Sequence, residues 1–439
     1  MKSLLQLMFI VLALLAASPA QAIPPIEQAR LDNGLRVLLM QAHNVPMVVM
    51  RLTLAAGSRL DPAKKAGSAA LLAAMLSDHT AIHDDVAWAD MLDAQAIRLG
   101  AGASRDSLSI SLTVLKEALR EGVGALSEAT LHPGWNKKRF AILRSDAVAA
   151  AQKSLEEPGV RAAEETAAAL YPRHGYGHRS GGSVDSLPRI KLADLQALYK
   201  RQFRPQGAVL AVSGDITMGK LLALIGPAFA DWQGAPEKTL QATPQPEVTA
   251  AQQHHVRMPT QQMTVQLARL GPSRFDKAFF ANMLLNHMLG GGGFASRLMN
   301  EVREQRGLVY GVYSYFVPLA VPGPFVISFK TRADQAAEAL AVVRQVMRDM
   351  HDGKISAAAL AAAKANLSGS FAHRLDSNAK RVGLMSMIGF YGLPLDYLSV
   401  WADRINAVTL AEVKTEAKRF LASEKWHTIE VGPSKGRLK

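Results

Sequence analysis

The chain has 439 residues, 50 Lys and Arg against 37 Asp and Glu, a formal net charge of +13 and no cysteine. That length supports two to three packed units, and the missing thiols exclude disulfides and thiolate metal ligands. The basic residues are scattered along helices, as at Lys137-Lys138-Arg139, with no arginine–aromatic block, which argues against nucleic acid and for a mildly acidic protein or peptide partner.

Residues 1–22 read as a cleavable secretory signal: Lys2, an apolar run over 4–17, then the small-x-small site Ala20-Gln21-Ala22. The run is too short for a comfortable membrane span. The mature chain is expected to begin near Ile23, at charge +12 after loss of Lys2, with no later stretch apolar enough to cross a bilayer. Export, most readily to a periplasm, follows from this reading.

In chain order, 34–39 and 47–54 are mostly apolar and predict strands of a covered sheet, with Asn33-Gly34 as a turn. An alanine/leucine helix is predicted over 66–76. Residues 108–115 alternate at Leu108, Ile110, Leu112 and Val114, which predicts a strand. Amphipathic helices over 116–129 and 135–155 follow, then a short strand at 209–212 closed by Gly214-Asp215. Residues 233–250, rich in Pro, Gln and Thr and without period, predict a linker.

The second half repeats the order. Strand 263–270 resembles 47–54, and helix 275–289 resembles 66–76. Strands at 310–316 and 325–330, helices at 333–352 and 357–371, and a last strand at 427–431 complete it. The fold class is therefore α+β: two homologous αβ domains, 23–232 and 251–439, each an antiparallel or mixed sheet with flanking helices. Duplication of this kind implies two sheets facing each other across a clamshell.

Several histidines invite a metal reading. His79 and His83 are four apart and precede Asp84-Asp85, but no glutamate lies between them and the stretch is polar, so a solvated loop is expected. His174 and His178 flank a glycine-rich loop, and His254-His255 sits at the linker exit, where exposure is expected. The run Gly290-Gly291-Gly292-Gly293 lacks the Gly-Lys-Ser/Thr of a phosphate loop.

Ordered segments along the mature chain resemble the insulinase/pitrilysin metallopeptidases, closest to the short bacterial and mitochondrial processing-peptidase-like members. They include Leu31-Asp32-Asn33-Gly34-Leu35-Arg36-Val37, Ala55-Ala56-Gly57-Ser58-Arg59, the stretch 176–182, the run 289–298 and Arg303-Glu304-Gln305-Arg306-Gly307-Leu308-Val309-Tyr310. Leu375-Asp376-Ser377-Asn378 and 391–397 add to them. The family's zinc helix reads G-x-A-H-x-L-E-H-M-L, with H-x-x-E-H supplying two ligands and the base. Here the segment is Gly67-Ser68-Ala69-Ala70-Leu71-Leu72-Ala73-Ala74-Met75-Leu76, so Ala70, Ala73 and Ala74 stand at the three chemical positions. The third ligand of active members is a glutamate further along, where 147–152 reads Ala-Val-Ala-Ala-Ala-Gln.

The resemblance implies roles for what remains. Arg303 and Tyr310 have the spacing of the family's arginine–tyrosine pair, which binds a substrate carbonyl and donates to the tetrahedral oxyanion. Gly290, Gly291, Gly292 and Gly293 are expected either as a loop at the clamshell mouth touching peptide or as a structural helix-end loop. The expectation is thus one clamshell half: the non-zinc subunit of a two-chain zinc peptidase, with no metal or cofactor of its own. Its partners would be a homologous subunit with intact H-x-x-E-H, which holds the zinc, and peptide substrates. The competing expectation is a catalytically inert peptide-binding or scaffolding protein. A zinc peptidase with atypical ligands is the third.

Overall fold

The computed structural model describes residues 23–433, and the expected signal segment lies outside them. The first sheet has six strands: β1 (Glu27–Arg30), β2 (Arg36–Gln41), β3 (Met47–Leu54), β4 (Arg98–Ala103), β5 (Leu108–Leu115) and β6 (Val209–Gly214), in the order β1-β2-β6-β3-β5-β4. The second has five: β7 (Gln253–Arg257), β8 (Gln262–Leu270), β9 (Val312–Phe316), β10 (Pro324–Arg332) and β11 (His427–Gly432), in the order β7-β11-β8-β10-β9.

Without β1 the two sheets are wired alike. In each, the first and last strands pair in parallel, β2 with β6 and β7 with β11, and every other pair is antiparallel. This shared topology is the structural form of the duplication.

Seven helices accompany the first sheet: α1 (Ser68–Asp78), α2 (Asp85–Ala94), α3 (Leu119–Leu131), α4 (Lys137–Ser154), α5 (Pro158–Leu170), α6 (Leu192–Gln202) and α7 (Met218–Ala228). Six follow the linker: α8 (Phe279–Asn286), α9 (Ala336–His351), α10 (Ala357–Gly369), α11 (Asn378–Tyr391), α12 (Trp401–Ala407) and α13 (Leu410–Phe420). One face of β3 and β5 buries Val48, Met50, Leu52, Ile110 and Leu112 against α1, α3 and α7. The other half builds its core from Val265, Leu267, Ile327 and Phe329 against α8, α9 and α13.

The expected open facing of the two sheets is modified by an exchange of helices. α11 of the second half packs on β2, β3 and β6 of the first sheet, and α5 of the first half packs on β8 and β11 of the second. Gly383, Ser386 and Gly389 let α11 come close: Ser386 Oγ is 2.7 Å from Thr53 Oγ1, and a Cβ on Gly389 would meet Val209 at 2.6 Å. On the reciprocal contact Thr166 donates to Gln266 Oε1 (2.8 Å).

Asp106, almost fully buried, closes the seam between the halves. Its carboxylate accepts from Tyr176 of the first half, from Tyr391 of α11 (2.9 Å) and from the Ala320 backbone N–H (2.9 Å). Residues 233–252 carry no helix or strand, yet Leu240 and Thr243 are buried, so the connecting segment is packed down.

Two smaller expectations are corrected in part. His79 is buried, with Nδ1 2.9 Å from Asp78, and it accepts from the Asn136 N–H at 3.3 Å. His83 is half-buried against Glu128 (2.7 Å), so the loop is pinned at its two histidines while Ala81, Ile82 and Asp84 remain exposed. The pinning follows from carboxylates on neighbouring helices that no local pattern announces. His254 and His255 are strand residues of β7: His254 is half-covered beside Glu165, while His255, near Glu430, is exposed as expected.

Candidate functional site

α1 begins at Gly67, which takes φ +100 and has Gly182 Cα 2.9 Å from where its Cβ would stand. Any side chain would be strained and would clash there. Asp61 caps the helix start, accepting from the N–H of Gly67 (2.9 Å) and of Ala69 (3.0 Å). Burial pushes this carboxyl up to about 7, against backbone hydrogen bonds that favour its charged form. The helix then packs on β4, α4 and α6.

Ala70, Ala73 and Ala74 occupy one side of α1 by their i, i+3, i+4 spacing. Ala73 is buried, while Ala70 and Ala74 are partly open. On α4, Ala147, Val148 and Ala151 pack against the same core. Tested against a zinc ion, these positions do not fit it: methyl groups have no lone pair to donate and no proton to move. Among the described residues no group of three or more His, Cys, Asp or Glu side chains converges elsewhere.

The other predicted pair is brought together. Arg303 lies in the last turn of a π-helical segment (Met299–Glu304), and Tyr310 sits two residues before β9. The guanidinium lies 5.4 Å from the centre of the Tyr310 ring and 4.7 Å from that of Phe294, within cation–π reach of both aromatics. Its carboxylate neighbour is Glu304 at 3.3 Å. Tyr310 is 90% exposed, and its hydroxyl has no hydrogen-bond partner among the described residues. A phenol held by its ring with a free hydroxyl can donate to an incoming acceptor.

The glycine run is not a free loop. Gly290 and Gly291 belong to a second π-helical turn (His287–Gly291). A Cβ on Gly290 would meet the Ser314 backbone N at 2.6 Å, and one on Gly291 would meet Asn286 Nδ2 at 2.4 Å. Gly292 is similarly tight against His287, at 2.8 Å from its carbonyl oxygen, while only Gly293 (φ +60) faces open space. The run lets the chain turn tightly beneath β9 and hold Phe294 outward.

Sequence reasoning missed Phe294, Tyr313 and Tyr315. Phe294 is exposed over Arg303, and the two tyrosines alternate outward along β9, a strand at the sheet's edge. Tyr313 and Tyr315, together with Tyr310, Ser328, Lys330 and Arg332, line an open groove of about 780 Å³. The period-two tyrosines within 310–316 were the available signal.

Residues 36–174 match the family model described as Insulinase (Peptidase family M16), and 189–367 match Peptidase M16 inactive domain. The crystal structure of a peptidase M16 inactive domain from Pseudomonas fluorescens is similar with a TM-score of 0.88 and 32% identity, covering 93% of this chain and 98% of that one. A protease from Helicobacter pylori shares the fold at TM-score 0.86 and 20% identity, over 94% of this chain and all of its own. Among curated relatives, the non-peptidase homolog YmxG of Helicobacter pylori is 25% identical over 381 residues, covering 86% of this chain and 87% of that protein. An uncharacterized zinc protease of Mycobacterium bovis is 27% identical over 429 residues, covering 95% of each chain. The chain belongs to the insulinase family, peptidase family M16, as a member whose zinc-helix positions carry alanine.

Proposed function

We propose that this chain is the non-zinc subunit of an exported, periplasmic two-chain insulinase-type peptidase. It supplies Arg303, Tyr310 and half of the peptide chamber, while a homologous partner with intact H-x-x-E-H holds the metal. One observation carries the reading: Arg303 and Tyr310 lie together, with Tyr310 open to solvent, although Ala70, Ala73 and Ala74 offer no ligand chemistry.

In this reading the Tyr310 hydroxyl donates to the oxygen that gains charge as a substrate carbonyl is attacked. Arg303 binds a neighbouring peptide carbonyl by a charge-assisted hydrogen bond. Phe294 and the edge of β9 border the substrate. Co-purification with a zinc-bearing homologue, followed by peptidase assays on each chain and on the mixture, tests it. Cleavage by the mixture well above the partner alone is expected; unchanged activity on mixing contradicts it.

A second reading, an inert peptide-binding or scaffolding protein, draws support from two relatives, one named a non-peptidase homolog and one an inactive domain. It expects peptide binding by the single chain and no gain in cleavage on mixing.

A further inference from the structure

A second cavity, of about 340 Å³, lies far along the chain from Arg303 and Tyr310. Its walls come from the β1–β2 hairpin, the segment after α6, the connecting segment at 235–241 and the end of α11. Three arginines line it: Arg30, Arg36 and Arg204. No aspartate or glutamate is among its lining residues, and the remaining polar side chains include the amides of Gln202, Gln206 and Gln241.

Arg30 and Arg36 are directly opposed in the antiparallel β1–β2 register. Like charges in that position repel and destabilise the pair. Neither has an ion pair among the described residues, and the buried Arg36 Nε has no hydrogen-bond partner. Burial and the Arg30 charge both hold the Arg36 pKa below its ordinary value. Arg204 donates to the carbonyl oxygens of Phe203 (3.2 Å) and Lys200 (2.6 Å), which leaves its charge unneutralised. Glu237, the carboxylate of the adjoining segment, faces away to Arg201 at 3.6 Å.

Three arginines around a partly enclosed cavity, Arg30 and Arg36 opposed in register and none facing a lining carboxylate, make a site for an oxyanion. We infer that this cavity binds a small phosphate-like anion carrying two or more charges, held by Arg36 and Arg30 with Arg204. The anion offsets the cross-strand repulsion between Arg30 and Arg36. Because the walls come from the first sheet, the connecting segment and α11, its binding also ties the two halves together. The site stands apart from the proposed peptidase role.

Calorimetric titration of the mature chain, purified without phosphate, tests this with sodium phosphate and with glycerol phosphate as separate titrants. Saturable one-to-one binding is expected, with a rise in Tm by mass action. Arg36→Gln and Arg204→Gln should each raise Kd by about tenfold or more, while Arg98→Gln on β4, outside the cavity, should leave it unchanged. Binding of phosphate alone identifies the free anion as the ligand, and binding of both identifies a phosphate ester as admissible. No saturable heat up to about 10 mM, or equal affinity in Arg36→Gln, Arg204→Gln and Arg98→Gln, overturns the inference. A Tm for Arg36→Gln at or above that of the wild type without phosphate shows that loss of binding is not loss of fold.

Discussion

The guanidinium of Arg303 lies 5.4 Å from the centre of the Tyr310 ring and 4.7 Å from that of Phe294. Seven positions apart in sequence, the two are joined through a π-helical turn and the approach to β9. These contacts fix a long, flexible side chain beside a phenol whose hydroxyl is free.

Arg303→Ala should weaken substrate binding and turnover together in a reconstituted complex, because it removes both a contact to peptide and the ring's neighbour. Phe294→Ala should act more mildly. Loss of an exposed cation–π contact is worth ~0.5–1 kcal/mol, or a two- to fivefold rise in KM. Steady-state kinetics of the two variants separate these effects, and a Phe294→Ala effect as large as that of Arg303→Ala would contradict the stacking role.

The isolated chain should retain no zinc at α1 after mild dialysis, since Ala70 and Ala74 offer no donor atom. Elemental analysis decides this. One tightly held zinc per chain would revive the atypical-ligand alternative.

Asp106 should be a stability hot spot. Asp106→Ala leaves the buried Tyr176 and Tyr391 hydroxyls and the Ala320 N–H without their acceptor. Each orphaned group costs ~1–3 kcal/mol, so thermal unfolding should begin markedly earlier. Tyr391→Phe removes one donor and leaves the carboxylate two others, so its loss should be much smaller. Similar melting curves for both variants would contradict the clasp.

Asp61 should make stability fall as pH rises. Its folded pKa, about 7, stands above the ordinary value of 3.8, so the folded state holds a proton the unfolded chain gives up. That contribution is fully present below pH 3.8 and is lost as pH rises through 7. Asp61→Asn cannot titrate and should flatten this part of the profile, even if the cap itself weakens. Denaturant midpoints measured from pH 4 to 8 provide the comparison, and parallel profiles would contradict the assignment.

Covered strands were legible in the sequence to the residue, as with Met47–Leu54 and Leu108–Leu115, because packing on a core demands apolar patterning. Edge strand β4, Arg-Leu-Gly-Ala-Gly-Ala, was not, since small residues at a sheet edge carry no strand signal. Nor was the exchange of α5 and α11. Their alanines, glycines and serines allow close approach to a sheet without saying which sheet. At the site, Arg303 and Tyr310 were legible from spacing within a resemblance, and the structure adds that they touch. The cavity of Arg30, Arg36 and Arg204 was invisible because β1, which opposes Arg30 to Arg36, was not predicted and Arg204 comes from a distant segment.

The central claim is that Tyr310 acts chemically in a site completed by a second chain, and Tyr310→Phe isolates it. The substitution keeps the ring that stacks on Arg303 and removes only the hydroxyl. The measurement is kcat and KM of the complex reconstituted from this variant and a zinc-bearing homologue. The account predicts a fall in kcat of about 10²–10³-fold with KM little changed and with assembly intact. Wild-type turnover from Tyr310→Phe would contradict it and leave the tyrosine as packing in a peptide-binding protein.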